Sequence, residues 1–128
     1  MPSVARLTTS DGLQLVYYEW GEHGEGPPVV LHHGFVANAR ANWEGPGVVQ
    51  ALVGAGRRVV AADARGHGDS DKPHDAARYG EARMAEDLAT LVDTIGAGEV
   101  DLVGYSMGAV VSLLLDPRFA TSIVEFLA

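Results

Sequence analysis

Cysteine is absent from the 128 residues, which excludes disulfides, thiolate metal sites and a cysteine nucleophile. Basic residues are scarce: nine Lys and Arg face 17 Asp and Glu, for a net charge of -8. With no Lys/Arg cluster, neither a nucleic acid nor a membrane surface is expected as partner. No apolar run approaches a membrane span. The start, Met1-Pro2-Ser3-Val4-Ala5-Arg6, lacks the apolar core of a signal peptide, so a cytoplasmic protein is the default expectation. The five histidines, His23, His32, His33, His67 and His74, form no His-x-x-x-His pair on a helix and have no carboxylate at ligand spacing. Neither a metal nor a cofactor is expected. Repeats, linkers and low-complexity segments are missing as well, and at 47% hydrophobic content the chain suits one domain with a real core rather than two.

What is present reads as alternating strands and helices. Arg6 to Thr8 and Leu13 to Trp20 flank Ser10-Asp11-Gly12 as a hairpin. Val29-Val30-Leu31-His32 is a buried strand by its β-branched content and breaks at His33-Gly34-Phe35. Trp43, Val48, Val49, Leu52 and Val53 have loosely helical spacing, stopped by Gly54 and Gly56, and Val59 to Asp63 supplies a further strand. From Met84, the residues Leu88, Leu91, Val92 and Ile95 fall on one helical stripe that ends at Gly96. Strand, helix, strand, helix, strand, helix in that order implies right-handed crossovers and a mostly parallel sheet behind an antiparallel start.

The chain is organised around Val100 to Val111, an apolar run that reaches Gly104-Tyr105-Ser106-Met107-Gly108 and continues into a second apolar run. It reads as strand, sharp turn, helix. A serine at such a turn takes a strained backbone conformation, and Gly104 and Gly108 leave room where strand and helix meet. Ser106 is thereby the candidate nucleophile. The Met107 N–H, at the positive end of a helix, suits an oxyanion formed on a carbonyl that Ser106 attacks. Gly-x-Ser-x-Gly alone is weak in a chain with 16 glycines. The flanking strand and helix give it weight.

His33-Gly34-Phe35, Asp63-Ala64-Arg65-Gly66-His67-Gly68-Asp69-Ser70 and the elbow Gly104 to Gly108 together resemble the amino-terminal half of the α/β-hydrolase family, over Leu7 to about Leu115. The resemblance implies a partial α/β-hydrolase fold with strand order 1-2-4-3-5, and the Phe35 N–H as a second oxyanion donor opposite that of Met107. Relatives of this fold with aspartate at the nucleophile position are haloalkane dehalogenases and epoxide hydrolases. Serine at 106 points instead to esterases, carbon–carbon bond hydrolases and cofactor-free haloperoxidases, acting on a small-molecule ester or related acyl substrate. His33, Tyr105 and Asp63 are expected near the site, His33 chiefly as a brace for its loop, while His67 and Asp63 organise the loop they belong to. Phe35 and Trp43 line a pocket or fill the core.

The family triad continues after the elbow with an acid and then a histidine. Residues 109–128 hold Asp116, Glu125 and no histidine, so the standard partners of Ser106 are not expected in this chain. Two functions follow: a serine hydrolase with an incomplete triad, or a catalytically inactive binding or interaction module that retains the hydrolase core. Within a single partial domain over 1–128, Asp116 to Ala128 resembles the family's final helix, joined after a missing middle, with Phe119, Ile123, Phe126 and Leu127 as its apolar stripe. The strand Val100 to Val103 would then be last in the sheet. Its apolar edge is expected to be covered by another copy of the chain, giving a homo-oligomer, or by the carboxyl-terminal segment.

Overall fold

The computed structural model describes residues 2–115 and the backbone of 120–126. One mixed sheet runs through it. Strands β1 (Ser3–Thr8) and β2 (Gln14–Trp20) form the hairpin, followed by β3 (Val29–His32), β4 (Val59–Ala62), β5 (Val100–Tyr105) and β6 (Ala120–Phe126). The order across the sheet is β1-β2-β4-β3-β5-β6. β1 and β4 pair antiparallel with β2; β3, β4, β5 and β6 run parallel. The expected order 1-2-4-3-5 holds, extended by a sixth strand.

Strand periodicity divides the core in two. On β3 and β4, Val29, Leu31, Val59 and Ala61 face one side with Val16, Tyr18 and Trp20 of β2, under helix α1 (Val48–Gly54) and the preceding helical turn Arg40–Glu44. Val30 and Val60 face the other side, with Leu15, under helices α2 (Glu81–Thr94) and α3 (Met107–Leu114). Both faces are covered, so the central strands read as unbroken apolar runs rather than as alternating ones. The α2 stripe of Met84, Leu88, Leu91 and Val92 is buried as its 3.6-residue spacing requires. Trp43 is a core residue, packed with Ala39 and Val49.

The carboxyl-terminal segment departs from its expected form. Ala120–Phe126 is a strand parallel to β5, not a helix. Thr121, Ile123 and Val124 are β-branched and favour a strand, and the β5 edge offers a row of backbone donors and acceptors that only a strand can pair. That pairing covers the β5 edge with the carboxyl-terminal segment, one of the two covers expected for it, in place of another copy of the chain. The rest of the segment, 116–119 and 127–128, with the expected Leu115–Asp116 junction, lies outside the described residues.

An ion cluster ties the hairpin turn to α2. Arg65, only 1% exposed, donates from Nε and Nη2 to Asp87 (2.7 and 2.8 Å) and from Nη1 and Nη2 to Asp11 (both 2.9 Å). The guanidinium holds the Asp11 carboxyl well below the usual carboxylate range. Opening such a buried pair by removing one partner costs about 3–5 kcal/mol, because the other charge is left without compensation.

His32 makes folding pH-dependent. Burial, reinforced by the neighbouring His33, lowers its pKa to about 4. Between pH 6.5 and 4 the unfolded chain therefore binds a proton that the folded chain refuses, and stability falls as pH drops through that window. Urea denaturation of the native protein is expected to lose on the order of 2–3 kcal/mol from this group across the window. His32→Gln should flatten the slope by up to one proton, whatever its effect at pH 7. An unchanged slope would exclude His32 as the source.

Candidate active site

The site begins at the junction of β5 and α3. Ser106 sits between them at φ 54° and ψ -112°, a region that L-residues avoid, as the strand–turn–helix reading requires. Two glycines make the junction fit. A Cβ on Gly104 would meet the Gly108 carbonyl at 2.5 Å, and one on Gly108 would collide with the His32 and His33 carbonyls at the end of β3. No side chain can be accommodated at either place.

Ser106 and Met107 border an open cleft of about 930 Å³. Phe35 and Val36, 72% and 79% exposed, line it from the turn after β3. Gly66 and His67 come from the loop after β4; Tyr79, Gly80, Glu81 and Met84 come from the approach to α2 and its first turn; Val110 comes from α3. Phe35 and Met107, the residues expected to supply the oxyanion donors, thus line one cleft with Ser106. As the first residue of α3, Met107 has an N–H without an acceptor inside its helix.

The other expected residues lie behind this surface. His33 is fully buried, and both its ring nitrogens are occupied: Nδ1 donates to the Gly34 carbonyl (2.7 Å), and Nε2 accepts from the Ala64 N–H (2.9 Å). Burial also lowers its pKa. Neutral and doubly bonded, this ring has no lone pair left for the Ser106 hydroxyl, and it joins the loop after β3 to the loop after β4. Asp63 does the same from below. Its Oδ1 accepts from the Ala39 N–H (2.9 Å) and its Oδ2 from the Asp69 N–H (3.0 Å). The Tyr18 hydroxyl, whose pKa is pushed up to about 12 by burial and the carboxylates of Asp63 and Asp69, points between them. Tyr105 packs its ring over Gly34. His33, Asp63 and Tyr105 thus stand behind the residues that line the cleft: His33 and Asp63 brace the loops, and Tyr105 packs on Gly34.

His67 is the imidazole that borders the cleft among the described residues. Its Nδ1 donates to the Arg65 carbonyl (3.0 Å), and its ring meets the edge of Phe35 at 5.7 Å. Asn42, which sequence reasoning did not single out, accepts from the Gly34 N–H through Oδ1 (2.8 Å) and fixes the start of the Phe35 turn. Nothing in an isolated asparagine marks such a role. Tyr79, Glu81 and Val36 were missed for the same reason: single residues in loops acquire a site only when the loops converge. Among the described residues, no group of three or more His, Cys, Asp or Glu could hold a metal ion, and no helix is long and apolar enough to cross a membrane.

A family profile described as alpha/beta hydrolase fold matches residues 27–123. The chain belongs to the α/β-hydrolase fold family. The chain is 40% identical over 106 residues to epoxide hydrolase A of Mycobacterium tuberculosis, covering 83% of itself and 32% of that protein. It is also 40% identical over 101 residues to the non-heme chloroperoxidase CPO-A1 of Kitasatospora aureofaciens, covering 79% of itself and 34% of that protein. In structure it resembles epoxide hydrolase A of Mycobacterium thermoresistibile, with a TM-score of 0.85 at 36% identity over 98% of this chain and 39% of that one. The α/β-hydrolase chain thus spans about a third of the length of the curated relatives it matches.

Val36 carries a second strained backbone, φ 60° in a β-branched residue that gains no burial from it. Val36→Gly is expected to raise stability by about 0.5–1 kcal/mol in urea denaturation, since relief of the left-handed strain exceeds the added chain entropy. A loss of stability would mean that the turn does not impose this conformation.

Proposed function

We propose that the chain carries the nucleophile half of a serine acyl hydrolase. Ser106 acts as nucleophile and the Phe35 and Met107 N–H groups as oxyanion hole, on a small-molecule ester or related acyl compound. The observation that carries this reading is the strained Ser106 backbone at the strand–helix junction, on a mainly apolar cleft that Phe35 and Met107 also line. In the step envisaged, the serine oxygen adds to the carbonyl carbon as its proton passes to a water molecule, and the same proton equivalent returns from water to the leaving oxygen when the adduct collapses. The oxyanion is met by donors already in place, each worth about 3 kcal/mol. Collapse of the tetrahedral adduct expels the alcohol and leaves an acyl-serine ester, which water cleaves.

Serine also discriminates among the relatives' reactions. If an alkoxide opened an epoxide, the enzyme would be left with an ether, which water does not hydrolyse, whereas an acyl-serine ester turns over. The chemistry of Ser106 thus favours acyl transfer over epoxide opening, although two of the similar proteins are named as epoxide hydrolases.

The base is the weak part of the constellation. No histidine follows Ser106 in the sequence, and His33 is fully occupied by its own hydrogen bonds. In a serine hydrolase, loss of the serine or histidine lowers turnover by about 10⁶, leaving roughly 10³–10⁴ over water from the oxyanion hole and binding. Activity of the chain alone is therefore expected to be slow.

A fluorophosphonate probe tests the reading without requiring turnover. Stoichiometric labelling of Ser106 over hours, absent in Ser106→Ala, is the expected result, located by mass analysis of the labelled peptide. An unlabelled Ser106 in folded protein would remove the hydrolase reading and favour a non-catalytic binding module.

A further inference from the structure

Charge around the cleft is one-sided. Glu81 is the single charged side chain in the cleft lining among the described residues, and neither lysine nor arginine accompanies it. It is solvent-exposed in the first turn of α2, and among the described residues no ion pair is formed with it. The nearby arginines are engaged elsewhere: Arg65 with Asp11 and Asp87, Arg78 and Arg83 with Asp11. Phe35 and Tyr79 add aromatic surface to the same cleft. The Tyr79 hydroxyl donates to the Pro73 carbonyl (2.7 Å), which fixes the ring in place. A carboxylate in a cleft that also holds aromatic rings attracts a weakly hydrated cation through its charge, and ring quadrupoles add to that attraction where the cation meets a ring face. The chain's net charge of -8 adds to the bias against anions.

We infer that the cleft selects ligands bearing an alkylammonium group, held by Glu81 against Tyr79 and Phe35, and disfavours carboxylate-bearing ones. This deepens the serine-hydrolase reading and rests on it for the statement about substrates: the preferred acyl compound would carry a cationic alkylammonium group. Recognition itself does not depend on Ser106, and neither does its test.

Three compounds of similar shape isolate the charge: choline, its neutral carbon isostere 3,3-dimethylbutan-1-ol, and the anion 3,3-dimethylbutanoate. None is an ester. Titrated into the native chain and followed by chemical-shift changes of the Tyr79 and Met84 signals, choline is expected to bind about three- to tenfold more tightly than the neutral alcohol, and the anion more weakly than either. Raising the salt concentration should shrink the cation's advantage. Glu81→Gln should bring choline and the alcohol within twofold of each other without weakening the alcohol, and Glu81→Lys should reverse the order of cation and anion. Thermal unfolding would verify that both variants are folded; the exposed position makes this the expected result. Equal binding of cation and neutral isostere by the native chain, saturable binding of none of the three, or a cation preference that survives Glu81→Gln would overturn the inference. An inert Ser106 together with the expected charge preference would overturn the hydrolase reading alone.

Discussion

At the site Gly108 lies against the end of β3, where its missing Cβ lets the first turn of α3 rest on the His32 and His33 carbonyls. Much of the site depends on this contact. With α3 seated against β3, the chain has a single residue in which to turn from strand to helix, and Ser106 absorbs the mismatch in its backbone. Such strain is of order 1–3 kcal/mol. It persists because Leu102 before the turn and Ala109 and Val111 after it are fully buried, and burial of the Leu and Val side chains alone contributes about 1.5–3 kcal/mol each.

The loops that face Ser106 are held differently, by polar groups with every valence assigned. His33 and Asp63 sit where the loops after β3 and β4 pass each other, and each accepts a backbone N–H from across the gap. A buried imidazole with one donor and one acceptor satisfied is worth more as a brace than as a base, because withdrawing either bond would leave a buried N–H or carbonyl without a partner. The two histidines differ in consequence. His33 is spent on structure, while His67, five residues along the loop after β4, reaches the cleft wall.

Legibility in the sequence followed the range of the signal. The continuous, β-branched apolar runs at Val29–His32 and Val59–Ala62, and the stripe on α2, are local patterns reinforced by burial, so strands and helix fell close to where they were read. Ser106 was legible because glycines at fixed offsets state a backbone geometry. Ala120–Phe126 was not: Ile123 and Phe126 fit a helical stripe as well as a strand, and what decides between them is the unpaired edge of β5, a tertiary fact. The Asp11–Arg65–Asp87 cluster was also out of reach, since its members are 54 and 22 residues apart and ionic partners leave no periodic mark.

These two kinds of support divide the site between rigid and adjustable parts. Ser106 and Met107 belong to a strand–helix junction that cannot shift without opening the core, so a group attacking or stabilising at that point has one position. Phe35 and Val36 are mostly exposed and stand on a turn fixed through Gly34 and Asn42; Glu81 stands at the free end of α2. Changes there meet little packed core and cost correspondingly little stability. The geometry for chemistry is thus built into the sheet, while the walls that meet a ligand rest on short loops, where substitutions can alter what is bound without disturbing the serine.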